Sequence, residues 1–124
     1  MDQRASTGQE GEKLANQFLR KNGYRILDER FRTQFGELDI VARKARVIAF
    51  VEVRSVSGEM GYLPEESINR RKIDRLSKCA MAWIQKKRIK NIQFRFDVIT
   101  VDLTDEDEPV LNHFPAAFEA EIDF

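Results

Sequence analysis

The sequence predicts an α/β fold in a single domain, a mixed β-sheet flanked by helices. Three observations carry that expectation. Two segments place apolar residues at helical spacing, three runs between and after them are rich in strand formers, and 124 residues suffice for one core but not for two ordinary domains. With 42% hydrophobic and 34% charged residues, the chain is too apolar for a disordered protein and too charged for a membrane protein.

Taken in order, Thr7-Gly8-Gln9-Glu10 has capping-box spacing, and Leu14, Ala15, Phe18 and Leu19 recur with helical period until Asn22-Gly23. This predicts a helix over residues 8–21. Residues 24–27 read as a short strand, and the polar stretch 28–35 as strand end and loop. Residues 37–42 and 47–54 are strand formers separated by a connection of hairpin length at 43–46. The second is almost continuously apolar over 47–53, as a central strand covered on both faces would be.

Residues 55–63, with Gly58 and Gly61, read as a loop, and Pro64-Glu65-Glu66 as the opening of a second helix. In that helix Ile73, Leu76, Ala80, Trp83 and Ile84 form one apolar stripe, which makes Trp83 a core residue. Its polar face is basic: nine Lys and Arg lie within 69–90 against the single acid Asp74. Residues 94–101 form a further strand, and 102–109 an acidic turn. The expected organisation is one domain over 1–124, with a core at about 8–101 and an acidic tail at 102–124 whose Phe114 and Phe118 pack back on the body.

Charge is distributed unevenly. The 21 basic and 21 acidic residues cancel, but from Val101 on there are eight acids and no Lys or Arg, so residues 1–100 carry a formal +8. That excess can attract a polyanion. Cys79 is the only cysteine and His113 the only histidine, so an internal disulfide and a Cys/His zinc site are both excluded. Cys79, beside the apolar stripe, reads as a small buried hydrophobe, and His113 as a packing or capping residue. No apolar run approaches membrane-spanning length and the amino terminus lacks a signal-type apolar core, so a cytoplasmic location without membrane partners is expected.

Strand alternation puts Glu37 with Asp39 on one face of the first hairpin strand, and Glu52 with Arg54 on one face of the second. Acids beside an apolar run are costly unless they are paired, hydrated or bound to a cation. A Glu and an Asp on adjacent strands suit Mg²⁺, a hard cation that prefers oxygen ligands. From spacing alone, the competing reading is a strand end at the surface making weak contacts worth ~0–1 kcal/mol each.

Gly36-Glu37-Leu38-Asp39-Ile40-Val41 followed by Val51-Glu52-Val53-Arg54 resembles the Gly-Glu-(Ile/Leu)-Asp…Glu-Val-Lys signature of the YraN-like family. These are small bacterial proteins related to the PD-(D/E)XK nuclease superfamily and to archaeal Holliday-junction resolvases. Gly11-Glu12, Gly23-Tyr24-Arg25-Ile26-Leu27, Lys72, Arg95-Phe96-Asp97-Val98, His113 and Ala117-Phe118 follow in the family's order, so the resemblance spans roughly residues 8–118.

The resemblance implies a restriction-endonuclease-like core in which Asp39 and Glu52 hold Mg²⁺ or Mn²⁺ and Glu12 completes the acidic cluster, with Glu37 a weaker candidate behind them. Branched or structured DNA is the implied substrate. It also implies a homodimer, although no dimer seam shows in the sequence. The departure is Arg54 where the pattern has Lys: Arg keeps the charge and can hold a phosphate, but cannot give up a proton. Lys72 is the candidate for a displaced lysine, against the plainer reading of a solvated helix residue. Arg70, Arg71, Lys72, Arg75 and Lys78 are the candidate phosphate contacts.

Three readings stay open on this basis: a metal-dependent nuclease using Glu12, Asp39, Glu52, Arg54 and Lys72; a nucleic-acid-binding module with a degenerate site; and an interaction scaffold whose acidic tail engages a partner or its own basic helix.

Overall fold

The computed structural model describes residues 3–56 and 68–120. In chain order the elements are α1 (Gln3–Lys21), β1 (Arg25–Thr33), β2 (Gly36–Lys44), β3 (Val47–Val56), α2 (Arg70–Lys87), β4 (Gln93–Asp102) and β5 (Val110–Phe118). They form a mixed five-stranded sheet in the order β1-β2-β3-β4-β5, antiparallel except where β3 pairs with β4. The parallel pair is joined through α2, as parallel neighbours require a crossover. This single-domain α/β architecture is consistent with a restriction-endonuclease-like core.

Among the described residues, each face of the sheet carries one helix. Leu38, Val41, Ile48, Phe50 and Phe96 pack with Leu76, Cys79, Ala80 and Trp83 of α2. Ile40, Ala42, Ala49, Val51, Ile99 and Val101 pack with Ala15 and Leu19 of α1. β3 is therefore covered on both sides, which explains its uninterrupted apolar run. Phe50 lies at the centre of the α2 layer, its ring edge-on to Trp83 at 5.8 Å.

Three elements differ from the sequence expectation. Helix α1 begins at Gln3, so Thr7 lies inside it; Gln3, Arg4 and Ala5 are all compatible with helix. Its end falls as expected, with Gly23 at φ +89° and the Tyr24 amide donating to Leu19 O. Residues 28–33, read as strand end and loop, complete a nine-residue edge strand. Their polarity has uses in the fold: Asp28 accepts the Trp83 indole N–H at 3.1 Å, and the polar side of the strand faces the acids of β2 and α1. Residues 110–118, read as tail, form the fifth strand.

Buried Asp97 binds that strand to β4. Where the β4–β5 register shifts between Phe96 and Val98, its carboxylate accepts the Ala116 amide at 3.0 Å and both Arg95 Nε and Nη2, and pairs with His113 Nε2 at 2.8 Å. Arg95 Nη2 also donates to the Tyr24 hydroxyl. His113, expected to pack or cap, is a member of this network. The hairpin turn is only Ala45-Arg46, with Ala45 at φ +54°. The expected helix opening at Pro64-Glu65-Glu66 and the loop from Ser57 onward lie outside the described residues. α2 is capped at Asn69, whose side chain accepts the Lys72 amide.

Candidate metal and phosphate site

The β2–β3 ladder ends at Ile40–Val51, while β3–β4 pairing continues to Val56–Asp102. Beyond that end the Asp39 carboxylate accepts the Val53 amide at 2.9 Å, so a side chain replaces the next ladder bond and the strands part around an acidic residue. On the other layer Gly11 packs against Ser55 and Val101, which holds α1 close over the end of β3 and brings Glu12 to the same place. Glu12, Glu37 and Asp39 each offer a carboxylate oxygen within 4.8 Å of the others.

Glu52 approaches from β3. It is 8% exposed and lies against Lys72 of α2, Oε1 to Nζ 3.2 Å. Asp39 joins the two groups electrostatically. Burial, then the charge on Glu52, push its pKa up to about 7, with Glu12 adding to the rise and the Val53 amide and Lys72 opposing it. A carboxyl held so high by burial and by acidic neighbours is an electrostatic condition that a divalent cation relieves.

The structure thus brings together Glu12, Asp39, Glu52 and Lys72, residues from four elements. Glu37, the weaker candidate, lies within the oxygen cluster, whereas Glu52 faces Lys72 beside it. Arg54 follows Glu52 on β3, and its buried Nε has no hydrogen-bond partner among the described residues. Arg71, Arg75 and Lys78 are exposed along α2, with Lys78 ion-paired to Asp74 at 3.1 Å, and Arg70 is exposed at its start.

Two residues escaped the sequence reading. Arg30 Nε donates to Glu12 at 2.8 Å, and Arg32 Nε to Glu37 at 3.0 Å. The signal was the alternation of Arg30 and Arg32, visible only if 28–33 is read as a strand antiparallel to β2, where Arg32 stands opposite Glu37.

Comparison with known proteins gives the family. Residues 11–101 match the model of "Uncharacterised protein family UPF0102". A "UPF0102 protein" of Trichlorobacter lovleyi is 44% identical over 115 residues, covering 92% of this chain and 91% of its own. One from Persephonella marina is 47% identical over 95 residues (76% and 81%), and one from Anaeromyxobacter dehalogenans 43% over 121 (97% and 89%). Matches of this identity and coverage, together with the Gly36-to-Arg54 signature in its expected strand context, place the chain in the YraN-like UPF0102 family.

Proposed function

We propose that the protein binds nucleic acid and hydrolyses phosphodiester bonds with the aid of a divalent cation, acting on structured or branched DNA. The observation that carries this is the convergence of Glu12, Glu37 and Asp39 beside the Glu52–Lys72 pair, with Arg54 two residues farther along β3. The donor set suits Mg²⁺ or Mn²⁺, since all the candidate ligands are carboxylate oxygens and exposed arginines only partly offset their mutual repulsion. Glu12, Glu37 and Asp39 would hold the ion. Bound there, it would supply Lewis-acid contact to a phosphate oxygen and acidify an attacking water.

The chain's own residues have separable tasks. Lys72 neutralises Glu52 and offers a mobile positive charge at the pocket. Arg54 presents a guanidinium suited to a phosphate oxygen and takes no part in proton transfer, because it does not deprotonate. Water attacks phosphorus, the O–P bond forms as the opposite P–O ester bond breaks, the proton released passes to solvent or a carboxylate of the cluster, and the departing oxygen takes a proton from solvent.

The test is cleavage of linear, branched and single-stranded DNA with Mg²⁺ or Mn²⁺. Cleavage lost in Asp39→Ala and Glu52→Ala supports the proposal, whereas failure on all three substrates removes it. A second reading, a binding module without turnover, is favoured by Arg54 in the lysine position; its signature is binding without cleavage that weakens steeply with salt.

A further inference from the structure

A second basic site lies at the opposite end of the sheet. The β2–β3 turn and the connection from α2 to β4 enclose an open cavity of about 630 Å³ whose lining, among the described residues, includes Arg43, Arg46, Arg88, Lys90 and Asn91 and contains no acid. β3 starts at this cavity with Val47 and reaches Arg54, beside the acidic cluster, after about 23 Å along the strand.

The two walls are fixed to each other. The Gln93 amide donates to Arg46 O at 3.0 Å, and Val47 pairs with Gln93 at the first position of the β3–β4 ladder. Arg43 Nε donates to Ala45 O at 3.0 Å, which ties that guanidinium to the hairpin turn. The cations are thus presented by a constrained backbone.

Their placement exceeds what the helix needs. The partial negative charge at the end of α2 accounts for Lys86, Lys87 and Arg88. It does not account for Arg43 and Arg46, which come from the hairpin and face the same space. Cations gathered from separate segments repel one another unless an anion binds between them. The exposed side chains of Arg71, Arg75, Lys78 and Lys86 continue the positive charge along α2, a helix about 27 Å long that runs between the two ends.

We infer that this cavity is a second contact for the phosphate backbone of the nucleic acid whose other contact is the acidic cluster and Arg54. The inference rests on the proposed nucleic-acid function and adds a length requirement. At ~3.4 Å per nucleotide along a strand, 23 Å corresponds to about seven nucleotides, so a shorter duplex cannot engage both ends.

The test is fluorescence-anisotropy binding of DNA duplexes of about 6 and about 20 base pairs across a salt series, with wild type, R46E/K90E and the milder R46Q/K90Q. All are checked for native circular dichroism. Wild type should prefer the long duplex by at least about tenfold; R46E/K90E should lose that preference and lower the salt slope by about 1–2, with R46Q/K90Q intermediate. Unchanged affinity and slope in both folded variants, with wild type still binding, overturns the second contact and leaves the proposed function intact. No binding by wild type to either duplex overturns the proposed function, and the inference falls with it.

Discussion

Lys72 Nζ stands 3.2 Å from Glu52 Oε1, an ion pair that joins α2 to β3 beside the acidic cluster, with the lysine side chain 40% exposed and the glutamate 9%. The family signature carries its lysine two residues after the glutamate, where this chain has Arg54. Lys72 reaches the same carboxylate from the other layer of the fold. Its loss leaves Glu52 nearly buried without its cation. Lys72→Met should therefore destabilise the protein by about 1–3 kcal/mol, while Lys72→Arg, which keeps the charge, costs less. Urea denaturation at pH 7 measures both, and equal midpoints for wild type and Lys72→Met would show that the pair contributes nothing.

Asp39 gives a pH dependence of defined sign. Burial and then Glu52 raise its folded pKa to about 7, whereas an unfolded aspartate titrates near about 4. Between those values the folded state keeps a proton that the unfolded state loses, so stability falls as pH climbs from about 4 to about 7 and the cost is complete above that. Asp39→Asn removes the charge and keeps an oxygen to accept the Val53 amide. In chelator-treated protein it should gain on the order of 2 kcal/mol at pH 8 and almost nothing at pH 4. Denaturation midpoints at the two pH values decide it: a gain of the same size at both would mean the charge is not responsible.

What the sequence made legible, and what it did not, follows from where information about each residue lies. The hairpin and the α2 stripe were readable because each element's own periodicity reports its buried face: Phe50 and Val51 alternate between layers, and Leu76, Ala80 and Trp83 recur at helical spacing. β1 was only half legible because its second half is polar, and Asp28, Arg30 and Arg32 find partners on α2, α1 and β2 that no local pattern predicts. β5 was hidden in the same way: besides its ladder with β4, it is fixed through His113 and the Ala116 amide to Asp97, a contact no local pattern predicts. At the site, strand alternation grouped Glu37 with Asp39 and Glu52 with Arg54, and Glu12 was a candidate only through the family resemblance; the sharing out of partners, Glu12 with Arg30 and Glu52 with Lys72, depends on how α1 and α2 dock.

Arg30 and Arg32 should compete with a cation for the acidic cluster. Each donates Nε to one of its carboxylates, yet the Arg30 side chain is 45% exposed and that of Arg32 80%, so solvent screens both pairs. Removing such a pair frees the carboxylate at little cost to the fold. Arg30→Gln should therefore tighten Mn²⁺ binding by up to about fivefold, with a smaller effect for Arg32→Gln. Isothermal titration calorimetry measures this directly, and weaker binding in Arg30→Gln would mean that the arginine helps to shape the site instead.

The Asp97 network should dominate the acid limb of the stability curve. Burial alone would raise its pKa, but hydrogen bonds from His113, Arg95 and the Ala116 amide hold the carboxyl below its ordinary value. A depressed folded pKa contributes stability that is present above the unfolded value and lost as pH falls through the folded one. Asp97→Asn leaves the Arg95 cation without its buried partner and should cost about 3–5 kcal/mol at pH 7, with the difference shrinking as pH falls through the lowered folded pKa. Urea denaturation across that range tests it; a pH-independent deficit would assign the effect to packing.

Arg54 decides between turnover and binding alone. A guanidinium at this position can hold a phosphate oxygen, and its buried Nε has an unused donor, but it cannot pass a proton to or from the attacking water. If the site turns over slowly because that proton has no carrier, Arg54→Lys should raise the cleavage rate by about 10²-fold or more while weakening DNA binding slightly, since a general acid–base group contributes on that scale. If Lys72 already performs the task, Arg54→Lys should leave the rate unchanged and Lys72→Met should abolish it. Single-turnover cleavage by the two variants, each matched to its own DNA affinity, separates these outcomes. Activity unaffected by either substitution would deny both cations a part in the chemistry.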